Sequence, residues 1–280
     1  FRVYNKKNMK FVIPEEISMT TDKLKKANFE AYLVGGCVRD LLANREPKDW
    51  DITTDAKPEE IQKIFSDFAG GTAENPDTVY ENNFGTVGVK TSSEDPRLKI
   101  IEITTFRLEG KYTDKRHPDD IKFAKTVEED LSRRDFTINA IALKIDSPTH
   151  VIVDPYGGQK DLKDGIVRTV GNPEERFNED GLRLMRAVRF ATELGWQIEF
   201  ETRRAIEKLS GLLEAIAKER IRDEFVKIIM SDMAANGIIM LEELNLLRCV
   251  LPELRDGVGV GQNKHHIYTV FEHNVKSLDY

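Results

Sequence analysis

Cysteine is scarce. Only Cys37 and Cys249 occur in 280 residues, far apart and in different kinds of segment, so neither a disulfide framework nor a thiolate metal cluster is indicated. Both read as reduced packing residues. Long apolar runs are absent as well, none approaching the roughly 18 residues that a membrane-spanning helix needs. The polar start Phe1-Arg2-Val3-Tyr4-Asn5 does not read as a signal peptide, which makes a cytoplasmic location the default expectation. Net positive charge is also missing, because 42 Lys and Arg face 49 Asp and Glu for a balance of -7. That alone would argue against a nucleic-acid partner, since neutralisation of phosphate dominates such binding. The two signs are interspersed, however, so the total excludes little. No internal repeat or low-complexity tract is present. The chain starts without methionine, Met9 offers a natural start, and Tyr280 falls within a helical pattern, so the chain reads as cut at both ends.

With 40% hydrophobic residues, the chain can bury a sizeable core, and its length points to two or more domains. The first half mixes β-rich runs with helical patterns. Strands are expected at 30–34, 50–54, 85–90 and 98–106, a short helix at 37–44, and a longer one at 58–69 with Pro58 in its first turn. From Asn178 onward, apolar residues recur at three and four spacings, as in Leu182, Met185, Val188 and Ala191, which predicts helices. The turn-rich Asp154-Pro155-Tyr156-Gly157-Gly158 marks the expected boundary between an α+β head and an all-helical remainder.

Three groups of residues carry chemistry. The first begins at Tyr32-Leu33-Val34-Gly35-Gly36-Cys37-Val38-Arg39-Asp40, which reads as strand, diglycine turn and helix. Such a turn brings unpaired backbone N–H groups close to a ligand and favours an anion. Arg39 near the helix start is consistent with an anion there. In Asp49-Trp50-Asp51-Ile52, the alternation of a strand would send both carboxylates to one face. Either that face meets solvent, or a divalent cation relieves the repulsion. Hard oxygen donors with room for waters and phosphates suit Mg²⁺. Glu102, an acidic interruption in the apolar run 98–106, is either a polar position on an exposed face or a third carboxylate of the same site.

The second group, Arg133-Arg134-Asp135-Phe136-Thr137-Ile138-Asn139-Ala140, offers donors and acceptors suited to ribose and phosphate, or the capping groups of a helix end. In the third group, Asp180, Arg183, Arg186 and Arg189 fall at every third position and would form one slowly drifting helical stripe. Three arginines in a row repel unless they face phosphate or acidic side chains. A solvated charged face is the plainer alternative.

Together, in this order, these motifs resemble those of the polymerase-β-like nucleotidyltransferases, and among them the class II tRNA nucleotidyltransferases and bacterial poly(A) polymerases. The resemblance runs from Ala31 to about Met230. It implies a nucleotidyltransferase head with a mixed β-sheet and flanking helices over 1–155, a helical neck over 156–230 and the start of a helical body over 231–280. It also implies two-metal phosphoryl transfer from CTP and ATP to the 3′ end of tRNA, in which Asp49 and Asp51 ligate Mg²⁺ and Glu102 helps deprotonate the 3′-hydroxyl. Gly35, Gly36, Arg39 and Arg134 would contact the nucleotide, while Asp135 and Asn139 would address the ribose 2′-hydroxyl. Asp180 and Arg183 would read the base, and Arg186 and Arg189 would meet the triphosphate. The base reading has a physical basis. Cytosine and adenine each set an amine donor beside a ring-nitrogen acceptor, complementary to an Asp and an Arg, whereas guanine and uracil leave buried polar groups unpaired.

Two further segments refine the expectation. Residues 107–118 are polar, with Gly110 and Pro118, and read as a mobile loop. By resemblance, its full length favours complete C-C-A addition or A addition over addition of the two cytidines alone. No basic segment of the poly(A) polymerase kind follows the template region, and Ala140-Ile141-Ala142 is more similar to the tRNA enzymes. The segment 218–225 resembles the last shared motif, expected to brace the neck helices. His265, His266 and His273 resemble the start of an HD-type phosphohydrolase without its completing His-Asp pair.

Overall fold

The computed structural model describes residues 3–5, 11–66, 78–80, 85–109, 121–146, 150–263 and 267–279. Residues up to 109 together with 121–162 make one compact unit, and residues from 163 onward make a second.

The first unit is built on a mixed sheet. Its elements run β1 (Val3–Asn5), α1 (Glu15–Lys26), β2 (Ala31–Val34), α2 (Gly36–Leu42), β3 (Asp51–Thr54), α3 (Pro58–Ile64), β4 (Thr78–Tyr80), β5 (Thr86–Lys90) and β6 (Ile100–Thr105). There follow β7 (Arg107–Glu109), β8 (Ile121–Phe123), α4 (Val127–Ser132), β9 (Ala142–Lys144), β10 (Val151–Val153) and α5 (Gly158–Asp164). Eight strands pair in the order β1-β10-β9-β2-β3-β6-β5-β4. All neighbours are antiparallel except β3 and β6, whose parallel register sets Asp51 beside Glu102.

The β2 strand is apolar and covered on both faces, while β6 alternates buried and exposed positions. All four residues of β2 are buried, and Leu33, Ile52, Ile101 and Ile103 are essentially inaccessible to solvent. The α1 helix contributes Ile17 and Leu24 from one stripe, with Thr20 and Thr21 between them. Each such aliphatic side chain contributes about 1.5–3 kcal/mol of burial free energy. The resulting rigidity holds the loops at the strand ends.

Several expectations need correction. Asp49 is not on a strand: it lies in a bend before β3, whose pairing with β2 begins only at Asp51 because β2 ends at Val34, where Gly35 turns the chain. Of the segment expected to be a mobile loop, residues 107–109 form β7 and pair with β8; residues 110–120 lie outside the described residues. The helix expected at 58–69 runs to Ile64, and 67–69 lie outside the described residues.

Among the described residues, the second unit's regular structure is helical apart from a two-residue parallel pairing of β11 (Ile166–Val167) with β12 (Gln197–Ile198). Its helices are α6 (Pro173–Glu179), α7 (Leu182–Leu194), α8 (Phe200–Leu209), α9 (Lys218–Ile229), α10 (Ala234–Glu243), α11 (Leu247–Val250), α12 (Pro252–Arg255) and α13 (Val270–Lys276). The α6 helix starts where Asn172 accepts two backbone N–H bonds and Pro173 presets the first turn. The α7 helix is central: Leu184, Met185, Val188 and Ala191 are buried on it, and it packs on α9 and α10. His273 is exposed on α13, while His265 and His266 lie outside the described residues. No described helix is long and apolar enough to cross a membrane.

Candidate active site

The diglycine turn and the carboxylates meet closely. Gly35 adopts φ 73° and ψ -136°, a conformation that L side chains avoid. A Cβ there would sit 3.4 Å from Asp51 Oδ2 and 3.3 Å from Arg134 Nη1. A Cβ on Gly36 would sit 3.4 Å from Asp49 Oδ1 and 3.6 Å from Arg39 Nη2. Successive residues of the turn thus face successive carboxylates, each with an arginine beside it. The sequence-based geometry was wrong for Asp49, yet the two acids still converge on one turn. With Glu102, Lys48 and Arg97, they line a cavity of about 550 Å³.

Electrostatics mark Asp51. Burial pushes its carboxyl up to about 6, repulsion from Asp49 and Glu102 adds to the push, and Arg134 opposes it. A pair of crowded, partly desolvated carboxylates is the donor chemistry of a hard divalent cation. Among the described residues, no three His, Cys, Asp or Glu side chains form a metal cage. Cys37 is no competitor as a ligand, since burial pushes its thiol up to about 12.

The second motif joins this site through hydrogen bonds. Arg39 Nη1 donates to Asn139 Oδ1 at 3.0 Å, and Asn139 Nδ2 donates to Asp135 Oδ1 at 3.2 Å. Asp135 also accepts from the Phe136 N–H at 2.8 Å, but the 3₁₀ turn Thr137–Asn139 that follows begins without a side-chain cap. The expectation that Asp135 caps the next helix is thus corrected, while Asp135 and Asn139 are held together beside Arg39. Because α2 has only seven residues, its dipole is small. The nearby cations are Arg39 and Arg134 at the turn, with Lys48 and Arg97 in the cavity.

In the second unit the stripe expectation is corrected. Asp180 is not on α7; it is the extended residue ending α6, and Gly181 separates it from the helix. Its Oδ1 accepts from the Leu182 N–H at 3.0 Å, and Arg220 on α9 reaches its Oδ2 with Nη2 at 2.8 Å. Arg183 is buried, pairing with Glu179 and donating to the Arg176 carbonyl at 3.2 Å. Arg186 lies over the Phe190 ring, as does Arg189, which forms ion pairs with Glu193 at 3.0 Å and Glu224 at 2.6 Å. The arginines that would repel one another are in good part answered by acids.

Sequence reading missed Asp40, Asp130, Lys48 and Arg97. Asp40 pairs with Arg39 at 2.8 Å. Asp130 is fully buried and holds both Arg133 and Arg134. In the run Val127-Glu128-Glu129-Asp130 it is indistinguishable from solvated acids, and only its i+3 and i+4 spacing to the arginines hinted at pairing.

A strand–diglycine–helix turn over paired acids, on a mixed sheet and followed by a helical unit, is the poly A polymerase head class. The description Poly A polymerase head domain matches residues 31–168, and Probable RNA and SrmB-binding site of polymerase A matches 195–257. The CCA-adding enzyme of Ligilactobacillus salivarius is 46% identical over 229 residues, 81% of this chain and 52% of that protein. The structure of the Bacillus stearothermophilus CCA-adding enzyme in complex with CTP matches with a TM-score of 0.70 at 38% identity, covering 84% of this chain and 53% of that one. A Thermotoga maritima CCA-adding enzyme complexed with tRNA matches at 0.71 and 25%, covering 94% and 58%. The chain belongs to the family of the CCA-adding enzymes and poly(A) polymerases. It spans about half the length of the curated relatives it matches.

Proposed function

We propose that the chain adds CMP and AMP, from CTP and ATP, to the 3′ end of tRNA without a nucleic-acid template. The observation that carries this reading is the convergence of Asp49 and Asp51 on the Gly35-Gly36 turn, with Arg39 and Arg134 beside them. Asp49 and Asp51 would hold Mg²⁺, which when bound neutralises triphosphate charge and acidifies the attacking hydroxyl. Glu102, exposed in the same cleft, takes the 3′-hydroxyl proton. Arg39 and Arg134 bind phosphate, and the open Gly35-Gly36 backbone lets it approach. Asp135 and Asn139, fixed by their mutual bond, address the ribose 2′-hydroxyl.

Base choice belongs to the second unit. Asp180 accepts from the exocyclic amine of cytosine or adenine and Arg183 donates to the ring nitrogen. Guanine or uracil would set acceptor against acceptor. Arg186 is the better candidate for the triphosphate; Arg189, with two acids already on it, chiefly braces α7 on α9. In this reading, 1–155 is the catalytic head, 156–230 the neck and 231–280 the start of the body, and the enzyme works in the cytoplasm with the acceptor end of tRNA.

Incubation with tRNA lacking its 3′ end and each NTP in turn tests this. CMP incorporation followed by AMP incorporation is expected, and no incorporation of either would overturn the reading. The match to a poly A polymerase head favours one alternative, A addition. Long A tails on any RNA would identify a poly(A) polymerase, and AMP addition only to tRNA already ending in C-C an A-adding enzyme.

A further inference from the structure

The Asp130 carboxylate is completely buried, an expensive place for a charge, which an apolar side chain would fill at lower cost. Its two oxygens are divided between partners. Oδ1 accepts from Arg133 Nε at 3.0 Å and Nη2 at 2.8 Å, and from the Arg107 N–H at 3.2 Å. Oδ2 accepts from Arg134 Nη2 at 3.2 Å, with the Thr53 hydroxyl at 3.5 Å. Three donors on Oδ1 stop the carboxylate from rotating, so Oδ2 is presented to Arg134 in a fixed direction. The guanidinium of Arg134 is thereby split: Nη2 is anchored on Asp130, while Nη1 lies against Gly35, 3.3 Å from where a Cβ would be. Its Nε is buried without a hydrogen-bond partner. Thr53 stands two residues after Asp51 on β3, so the hydroxyl that faces Asp130 and the Asp51 carboxylate share a strand.

We infer that Asp130 is a positioning residue for nucleotide binding, acting through Arg134 by holding one end of its guanidinium so that the other faces the diglycine turn. This rests on the reading of Arg134 as a nucleotide contact. Asp130 touches neither substrate nor reacting atoms. Its effect is on where the arginine points.

A double-mutant cycle on the intact chain separates the two claims. Asp130→Asn, Arg134→Gln and the double variant are compared by KM for CTP, KM for tRNA and kcat. Asp130→Asn and Arg134→Gln should each raise KM for CTP about tenfold, with KM for tRNA unchanged. The double variant should also stay near tenfold, because the second change removes a contact already lost. If Arg134→Gln leaves KM for CTP unchanged, the nucleotide reading of Arg134 falls and this inference with it. If Arg134→Gln raises it and Asp130→Asn does not, or the double reaches about a hundredfold, the inference alone falls. A rise in KM for tRNA equal to that for CTP would mark a structural role and overturn it too. Should Asp130→Asn not fold, Asp130→Glu, which keeps the charge and moves the carboxylate by one methylene, takes its place under the same criteria.

Discussion

Burial, together with the Asp49 and Glu102 carboxylates, pushes Asp51 up to about 6 against the opposing pull of Arg134, so the folded chain binds a proton there more tightly than the unfolded chain does. A raised carboxyl stabilises the fold fully below its unfolded value, and that contribution is lost as pH rises through about 6. The metal-free protein is therefore expected to lose stability between pH 4 and 7, by roughly 2 kcal/mol from this group. Asp51→Asn removes that loss. In chelator at pH 8, its thermal midpoint should exceed that of the wild type by on the order of 5 °C, while nucleotide transfer falls ~100-fold or more. Mg²⁺ should raise the midpoint of the wild type and not of the variant. A variant less stable than the wild type under chelation would contradict the crowding of carboxylates at this site.

At the scale of elements, the diglycine turn makes two adjacent residues respond differently to the same change. Gly35→Ala forces an L residue into a conformation costing roughly 1–3 kcal/mol and sets a methyl against Asp51 and Arg134; both the thermal midpoint and activity should drop. Gly36 is an ordinary helical position whose Cβ would meet Asp49 and Arg39 at contact distance. Gly36→Ala should leave the melting curve nearly unchanged and raise KM for NTP, as scanning calorimetry and steady-state kinetics can show. The turn was legible in sequence because two adjacent glycines after an apolar strand have few other uses. The helices of the second unit were legible from the spacing of Leu182, Met185, Val188 and Ala191. What periodicity could not show was where elements stop. Asp49 sits in a bend because its neighbour β2 ends at Val34, opposite Asp51, and Asp180 sits at an element end because Gly181 breaks the helical repeat. Nor could local pattern reveal long-range partners such as Arg220 for Asp180, forty residues apart. That clamp is testable: Arg220→Gln frees the Asp180 carboxylate, and misincorporation of UMP relative to CMP should rise several-fold in a single-nucleotide assay.

Over the whole molecule, the residues proposed for chemistry and those proposed for base choice fall in two separately packed units, with Asp49, Asp51, Glu102, Arg39 and Arg134 in one and Asp180 and Arg183 in the other. If the proposed roles hold, chemistry and choice are separable by mutation. Asp49→Asn removes a metal ligand that every nucleotide needs, so CTP and ATP transfer should fall by the same factor while the preference over GTP and UTP persists. Asp180→Ala leaves the metal site untouched but removes the acceptor that the exocyclic amine requires. Discrimination built on hydrogen bonds is large because a mismatched edge strands buried polar groups, each costing about 1–3 kcal/mol. Losing one acceptor should therefore reduce kcat/KM for CTP and ATP about 10–100-fold, with far less effect on UTP and GTP, which never gained from it. The same comparison can be made with all four NTPs on one truncated tRNA. Equal losses for all four in Asp180→Ala would mean that the carboxylate only caps α7 and clamps α9, and that the base is read elsewhere.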